Sequence, residues 1–103
     1  MGVKVRWTDP ALEDLEQALE FIATDNLDAA KSLGRKAWAA TRTLRNYPMK
    51  GRLVPEYQDA AIRELIVGPF RIIYSVKALP TVWVLATVRA ERLLEPPPPG
   101  LPS

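Results

Sequence analysis

At 103 residues the chain is one domain, with a modest core and no room for an internal substrate chamber or a second lobe. Hydrophobic residues at 48% and charged residues at 25% make a globular mixture, and the net charge is only +2. Having no cysteine excludes disulfides and thiolate chemistry; having no histidine removes the serine–histidine triad, the usual zinc site and the best proton shuttle near neutrality.

Val3-Lys4-Val5-Arg6-Trp7 alternates apolar and basic residues and predicts a half-buried strand. Thr8-Asp9-Pro10 then opens a helix: Thr8 can cap first-turn amides, Asp9 suits the positive helix end, and Pro10 lacks a proton that the first turn leaves unpaired. Leu12, Leu15, Leu19 and Ile22, with Ala11 and Ala18, form its apolar stripe, opposite Glu13, Glu16 and Glu20. Asp25-Asn26 joins this helix to a second, predicted from about Leu27 to Asn46, with Ala30, Leu33, Ala37, Ala40 and Leu44 facing the core. On its far side Lys31, Arg35, Arg42 and Arg45 cluster, and Trp38 projects between them. Trp38 either packs under the arginine stems or meets another part of the fold or a partner.

Leu53-Val54 predicts a short strand before Pro55, and Glu56 to Asp59 read as a loop. Three strands follow: Ile62 to Val67, a Gly68-Pro69 turn into Phe70 to Val76, and Thr81 to Val88 after Leu79-Pro80. Connections this short favour an antiparallel meander. The whole is an α+β, two-layer βααβββ arrangement, with an N-terminal helical hairpin packed on a mainly antiparallel sheet. Phe70, Ile72, Tyr74 and Val76 share one face; Ile73, Trp83 and Leu85 leave the other face apolar enough to suggest a partner site. The folded domain spans residues 1–93, and residues 94–103, with four consecutive prolines, are read as an extended tail. No apolar run is long enough to span a bilayer and no signal peptide is apparent, so a cytoplasmic protein is expected.

Charge is partitioned along the chain. Residues 1–28 carry two basic and seven acidic side chains, whereas residues 29–55 carry seven basic and no acidic ones. Such blocks fit two helices that attract each other, or a basic surface offered to an acidic partner or polyanion. No phosphate-binding glycine loop or dinucleotide fingerprint is present, and no cofactor or metal site is implied. Glu64 reads as a structural ion-pair partner, across the sheet from Arg63. Arg63, Arg71, Arg89 and Arg92 come from the meander, which can gather several on one surface for carboxylates or phosphates. Cleavage of RNA through its 2′-hydroxyl needs a general base and acid as well. Tyr74 reads as core and Tyr57 as loop, so no catalytic set is assigned and the question of enzymatic activity stays open.

The order of these pieces resembles the ParE/RelE family of toxins from type II toxin–antitoxin pairs, closer to its ParE-like branch. The resemblance rests on Val5-Arg6-Trp7-Thr8, Ala11 and Asp14-Leu15, Ala23 to Ala30, Leu44 to Pro48, Gly51-Arg52 and Pro55-Glu56. Further on, it rests on Arg63-Glu64-Leu65, Phe70-Arg71-Ile72-Ile73-Tyr74 and Val84 to Arg92. It implies a toxin neutralised in a hetero-oligomer by a cognate antitoxin. DNA gyrase is the target of ParE-like members, and messenger RNA in the ribosome is that of RelE-like ones. The ribonuclease branch relies on a tyrosine near the C-terminus, where this chain has Leu93-Leu94-Glu95 instead. Partner contacts are expected at Lys31, Arg35, Trp38, Arg42, Arg45, Arg63, Arg71, Trp83, Arg89 and Arg92. Neutralising Arg63 or Arg71 is expected to weaken antitoxin binding or toxicity without a large loss of fold.

Overall fold

A computed structural model describes residues 2–90. Its elements run β1 (Lys4–Trp7), α1 (Asp9–Ala23), α2 (Leu27–Arg42), a 3-10 turn (Thr43–Arg45), β2 (Arg52–Leu53), β3 (Ile62–Val67), β4 (Phe70–Ser75) and β5 (Thr81–Arg89). The five strands form one sheet in the order β1-β5-β4-β3-β2. Every pairing is antiparallel except that of β1 with β5, because the helical hairpin carries the chain back before it re-enters the sheet. The α+β expectation holds, with two layers and a mixed, mainly antiparallel sheet.

The helix starts follow from their caps. Thr8 Oγ1 accepts from the Ala11 amide at 3.2 Å and donates to the Val84 carbonyl at 3.0 Å, so one hydroxyl caps α1 and ties it to β5. Asn26 caps α2, accepting from the Ala29 amide at 2.9 Å. The predicted second helix ends earlier as an α-helix, at Arg42. The Thr41 and Thr43 hydroxyls donate to carbonyls one turn back, and the chain tightens into the 3-10 turn. The α1 stripe is also rotated from the expected one: Ala11 is fully buried, and Leu12 faces solvent.

The main core lies between helices and sheet. Ala11, Ala37 and Leu44 meet Leu65, Ile72, Tyr74, Val82 and Val84, and Val5, Trp7 and Leu15 pack at the edge. Full burial of a side chain such as Ile72 contributes roughly 1.5–3 kcal/mol. Tyr74 is core, as its position in the strand suggests; its hydroxyl donates to the Pro48 carbonyl and accepts from the Gly51 amide at 2.8 Å. At Gly51 a Cβ would lie 2.5 Å from that hydroxyl, so only glycine fits the approach. Gly68, at φ +55°, makes the β3–β4 turn.

The far face of the sheet is covered over its centre, more than the sequence suggests. Val54 and Tyr57, from the segment after β2, cover Ile62, Ile73 and Leu85, while Trp83 and Val88 stay partly open and Ile66, beside Arg71 in register, is half exposed. A bulge between Ile73 and Tyr74 in the β4–β5 register reshapes β5: Ile73 pairs with Ala86 and Tyr74 with Val84. Leu85, Ala86 and Val88 therefore join the far-face cluster, while the Thr87 hydroxyl meets the Ala11 carbonyl on the helix side. Strict alternation would have put Ala86 and Val88 with Val84.

Candidate functional site

The arginines expected on one surface lie in separate environments. Arg63 stands beside Tyr74 in the β3–β4 register, on the helix side, and its Nη1 donates to the Gly51 carbonyl at 2.9 Å. Arg71 points to the opposite face and is only 4% exposed. Its Nη1 and Nη2 grip both oxygens of Glu56 at 2.6 Å, and its Nε meets Glu64 Oε1 at 2.7 Å. Arg52 completes the cluster through the other Glu64 oxygen, which confirms Glu64 as a structural ion-pair residue and names its partners. The Glu56 carboxylate, against the opposing effect of burial, and then Glu64 hold the Arg71 guanidinium charged far beyond its ordinary range. The expectation that Arg71 can be neutralised at little cost is corrected by this burial: it fastens the segment after β2 to the sheet.

The basic face of α2 is open. Lys31, Arg35, Trp38, Arg42 and Arg45 are all exposed, Trp38 to 59%. Lys31 and Arg35 border a shallow apolar groove with Leu19, Ala23 and Leu27 of the helical hairpin. No ion pair among the described residues joins α1 to α2, so the opposite charge blocks of the two helices are not matched by direct bridges. Trp38, Arg42 and Arg45 line a second groove of about 420 Å³, whose other wall is β1 with Lys4, Arg6 and Trp7. Those β1 residues escaped attention as site candidates because nothing local in the sequence says that the first strand lies at the sheet edge.

Trp83 is partly buried in the far-face cluster, beside Arg6 in register. Arg89 is exposed at the end of β5, with its guanidinium 5.5 Å from the Phe21 ring centre. Arg92 and the proline-rich tail lie outside the described residues. Of the three tyrosines, Tyr47 is exposed, while the hydroxyls of Tyr57 and Tyr74 are enclosed or committed. Tyr74 is doubly bonded, and the Tyr57 hydroxyl is buried without a hydrogen-bond partner. Burial, and secondarily the charge of Glu56, raises the Tyr57 phenol above its ordinary value. Burial likewise raises Tyr74. No helix among the described residues is long and apolar enough to cross a membrane.

The family model for the ParE toxin of the type II toxin–antitoxin system parDE matches residues 5–100. The chain belongs to the ParE toxin family. It is thus the toxin component of a ParDE-like pair, a class in which the toxin is partnered by a cognate antitoxin. The ParE fold recurs in a chain described as the chromosomal ParDE TA system from P. aeruginosa, at TM-score 0.72 and 20% identity. That match covers 86% of this chain and 97% of the other, and at such low identity it speaks for the fold. No curated protein is significantly similar in sequence.

Proposed function

We propose that this ParE-family toxin acts by binding DNA gyrase, trapping it with its DNA cut, and that its cognate antitoxin prevents this. The carrying observation is the contrast between polar groups held inside and charge left outside. Tyr74 and Arg71 are tied into the fold, whereas Arg35, Arg42, Arg45 and the indole of Trp38 stand in solvent on one helix face. A surface of exposed guanidinium groups and an aromatic suits recognition of an acidic protein face or a phosphate backbone. General acid–base cleavage instead needs a positioned proton donor and acceptor, and the chain has no histidine.

The deciding experiment runs two assays on the same purified protein. Gyrase supercoiling with detection of cleaved DNA complexes is expected to show inhibition, and ribosome-bound message is expected to stay intact. Message cut by the pure protein, with gyrase untouched, overturns the reading and favours a ribosome-dependent endoribonuclease. Arg35→Glu, Arg42→Glu and Arg45→Glu together are expected to lower gyrase inhibition at least tenfold. Unchanged inhibition would remove the helix face from the proposal.

A further inference from the structure

β1 stands at the edge of the sheet, and its outer side has hydrogen-bonding groups to spare. The Lys4 amide donates to the Pro80 carbonyl at 2.9 Å and the Thr8 amide to Val84 at 3.0 Å, both toward β5. Main-chain groups alternate along a strand, so those of Val5 and Trp7 point away from β5. On that side the Val3 amide is taken by the Arg45 carbonyl at 3.0 Å, and past it no strand among the described residues pairs with β1. The groove between this edge and α2 is where those groups open, and Trp7, which lines it, has a buried indole N–H with no hydrogen-bond partner.

Charge selects the occupant. Arg6 stands beside Trp83 on the far face of the sheet, and Lys4 shares that side. On the helix side the groove is rimmed by Arg42 and Arg45, and no acidic residue lines it. Antiparallel pairing of two copies through β1 would set Lys4 and Arg6 of one against those of the other, a repulsive arrangement. An extended segment with acidic side chains on that face meets the same two cations favourably. Its alternate side chains, turned toward the helices, meet Trp7 and the exposed ring of Trp38.

We propose that the β1 edge is a strand-addition site for an extended protein segment alternating acidic and apolar residues. Main-chain bonds to Val5 and Trp7 supply the pairing, Lys4 and Arg6 select acidic side chains, and Trp38 with Trp7 receives the apolar ones. The site does not depend on which macromolecule the toxin attacks.

The test uses the isotopically labelled full chain and a capped eight-residue peptide alternating Glu and Val. Saturable binding is expected, with Val5 and Trp7 amide exchange slowed at least tenfold and that of Arg6, which faces β5, unchanged. The same peptide with N-methylated backbone amides is expected to bind at least tenfold more weakly, and a Lys–Val version not to bind. Lys4→Glu with Arg6→Glu is expected to reverse that preference while leaving the thermal midpoint nearly unchanged. Because the peptide series needs no variant, it decides the matter even if that double variant misfolds. Equal binding of the N-methylated peptide, binding without protection of Val5 and Trp7, or no binding at millimolar peptide overturns the proposal. Tighter binding of an eight-nucleotide single-stranded RNA at the same amides also overturns it, in favour of a nucleic-acid groove.

Discussion

Arg71 and Arg42 are the same side chain under opposite conditions. Arg71 is sealed under the segment after β2, with three guanidinium nitrogens bonded to two carboxylates. Arg42 stands on α2 in solvent beside Trp38, in a stretch of 27 residues (29–55) without one acidic side chain. In the first region charge is cancelled locally, and what it secures is a covering for the apolar far face. In the second it is left uncancelled, which lends α2 little stability but sets a field that an acidic partner can feel. Basic residues that look alike in a sequence therefore divide into fastening and recognition groups, and acids within reach make the division.

The strongest way to break this contrast is to remove Arg71. Arg71→Met strands Glu56 and Glu64 without their shared cation, and Glu64 is fully enclosed. Loss of one partner from a buried pair costs about 3–5 kcal/mol, measurable by urea unfolding. Adding Glu56→Gln and Glu64→Leu to that variant should recover much of the loss, since no buried charge then lacks a counterpart. A loss below about 1 kcal/mol for Arg71→Met alone would show that the cluster does not hold the far-face covering. Gly51→Ala comes next: its methyl would crowd the Tyr74 hydroxyl and lie 2.7 Å from the Glu64 carbonyl. A cost of about 1–3 kcal/mol is expected, partly relieved by Tyr74→Phe, which removes the nearest obstacle and leaves the ring edge and the Glu64 carbonyl.

Local features were legible; long-range ones were not. The cap at Thr8, the helix joint at Asp25-Asn26, the apolar stripe of α2 and the Gly68-Pro69 turn each depend on a few neighbouring residues. The pairing of β1 with β5 joins Lys4 to Thr81 and depends on how the hairpin packs, so the sequence showed a strand without showing that it forms an edge. The bulge that sends Ala86 outward lies in an almost continuous apolar run, in which either face is chemically acceptable. The segment after β2 has no periodicity to reveal that it covers Ile73 and Leu85. For the candidate site, residue type was visible in advance and surroundings were not. Arg71 and Arg42 differ by what the fold places within 3 Å of them.

The two enclosed phenols, Tyr74 in the main core and Tyr57 on the far face, give a smaller, pH-dependent effect. Burial raises Tyr57 and Tyr74 above the ordinary value of about 10, so the folded state keeps their protons longer than the unfolded chain does. Their contribution is fully present below about pH 10 and is lost as pH climbs from there toward the folded values. Denaturation midpoints should therefore fall above pH 10, with phenolate absorbance from these two residues appearing together with unfolding. Tyr57→Phe should flatten that fall. Phenolate from Tyr57 in a chain still folded would mean that the far-face covering opens readily.

The smallest change in stability is expected on the open side. Converting Arg35, Arg42 and Arg45 to Glu removes no ion pair seen in the structure and enters no core, so unfolding free energy should shift by only about 0.5 kcal/mol. Relief of crowding among like charges along α2 even favours a slight gain at low salt. Binding to an acidic partner should respond in the opposite sense, weakening strongly, while the native protein's own affinity falls as salt is raised. A large stability loss from this triple change would mean that the α2 arginines are held by the fold as Arg71 is. Stability and binding moving independently is what a recognition surface requires, because its charges find their counterparts only on another molecule.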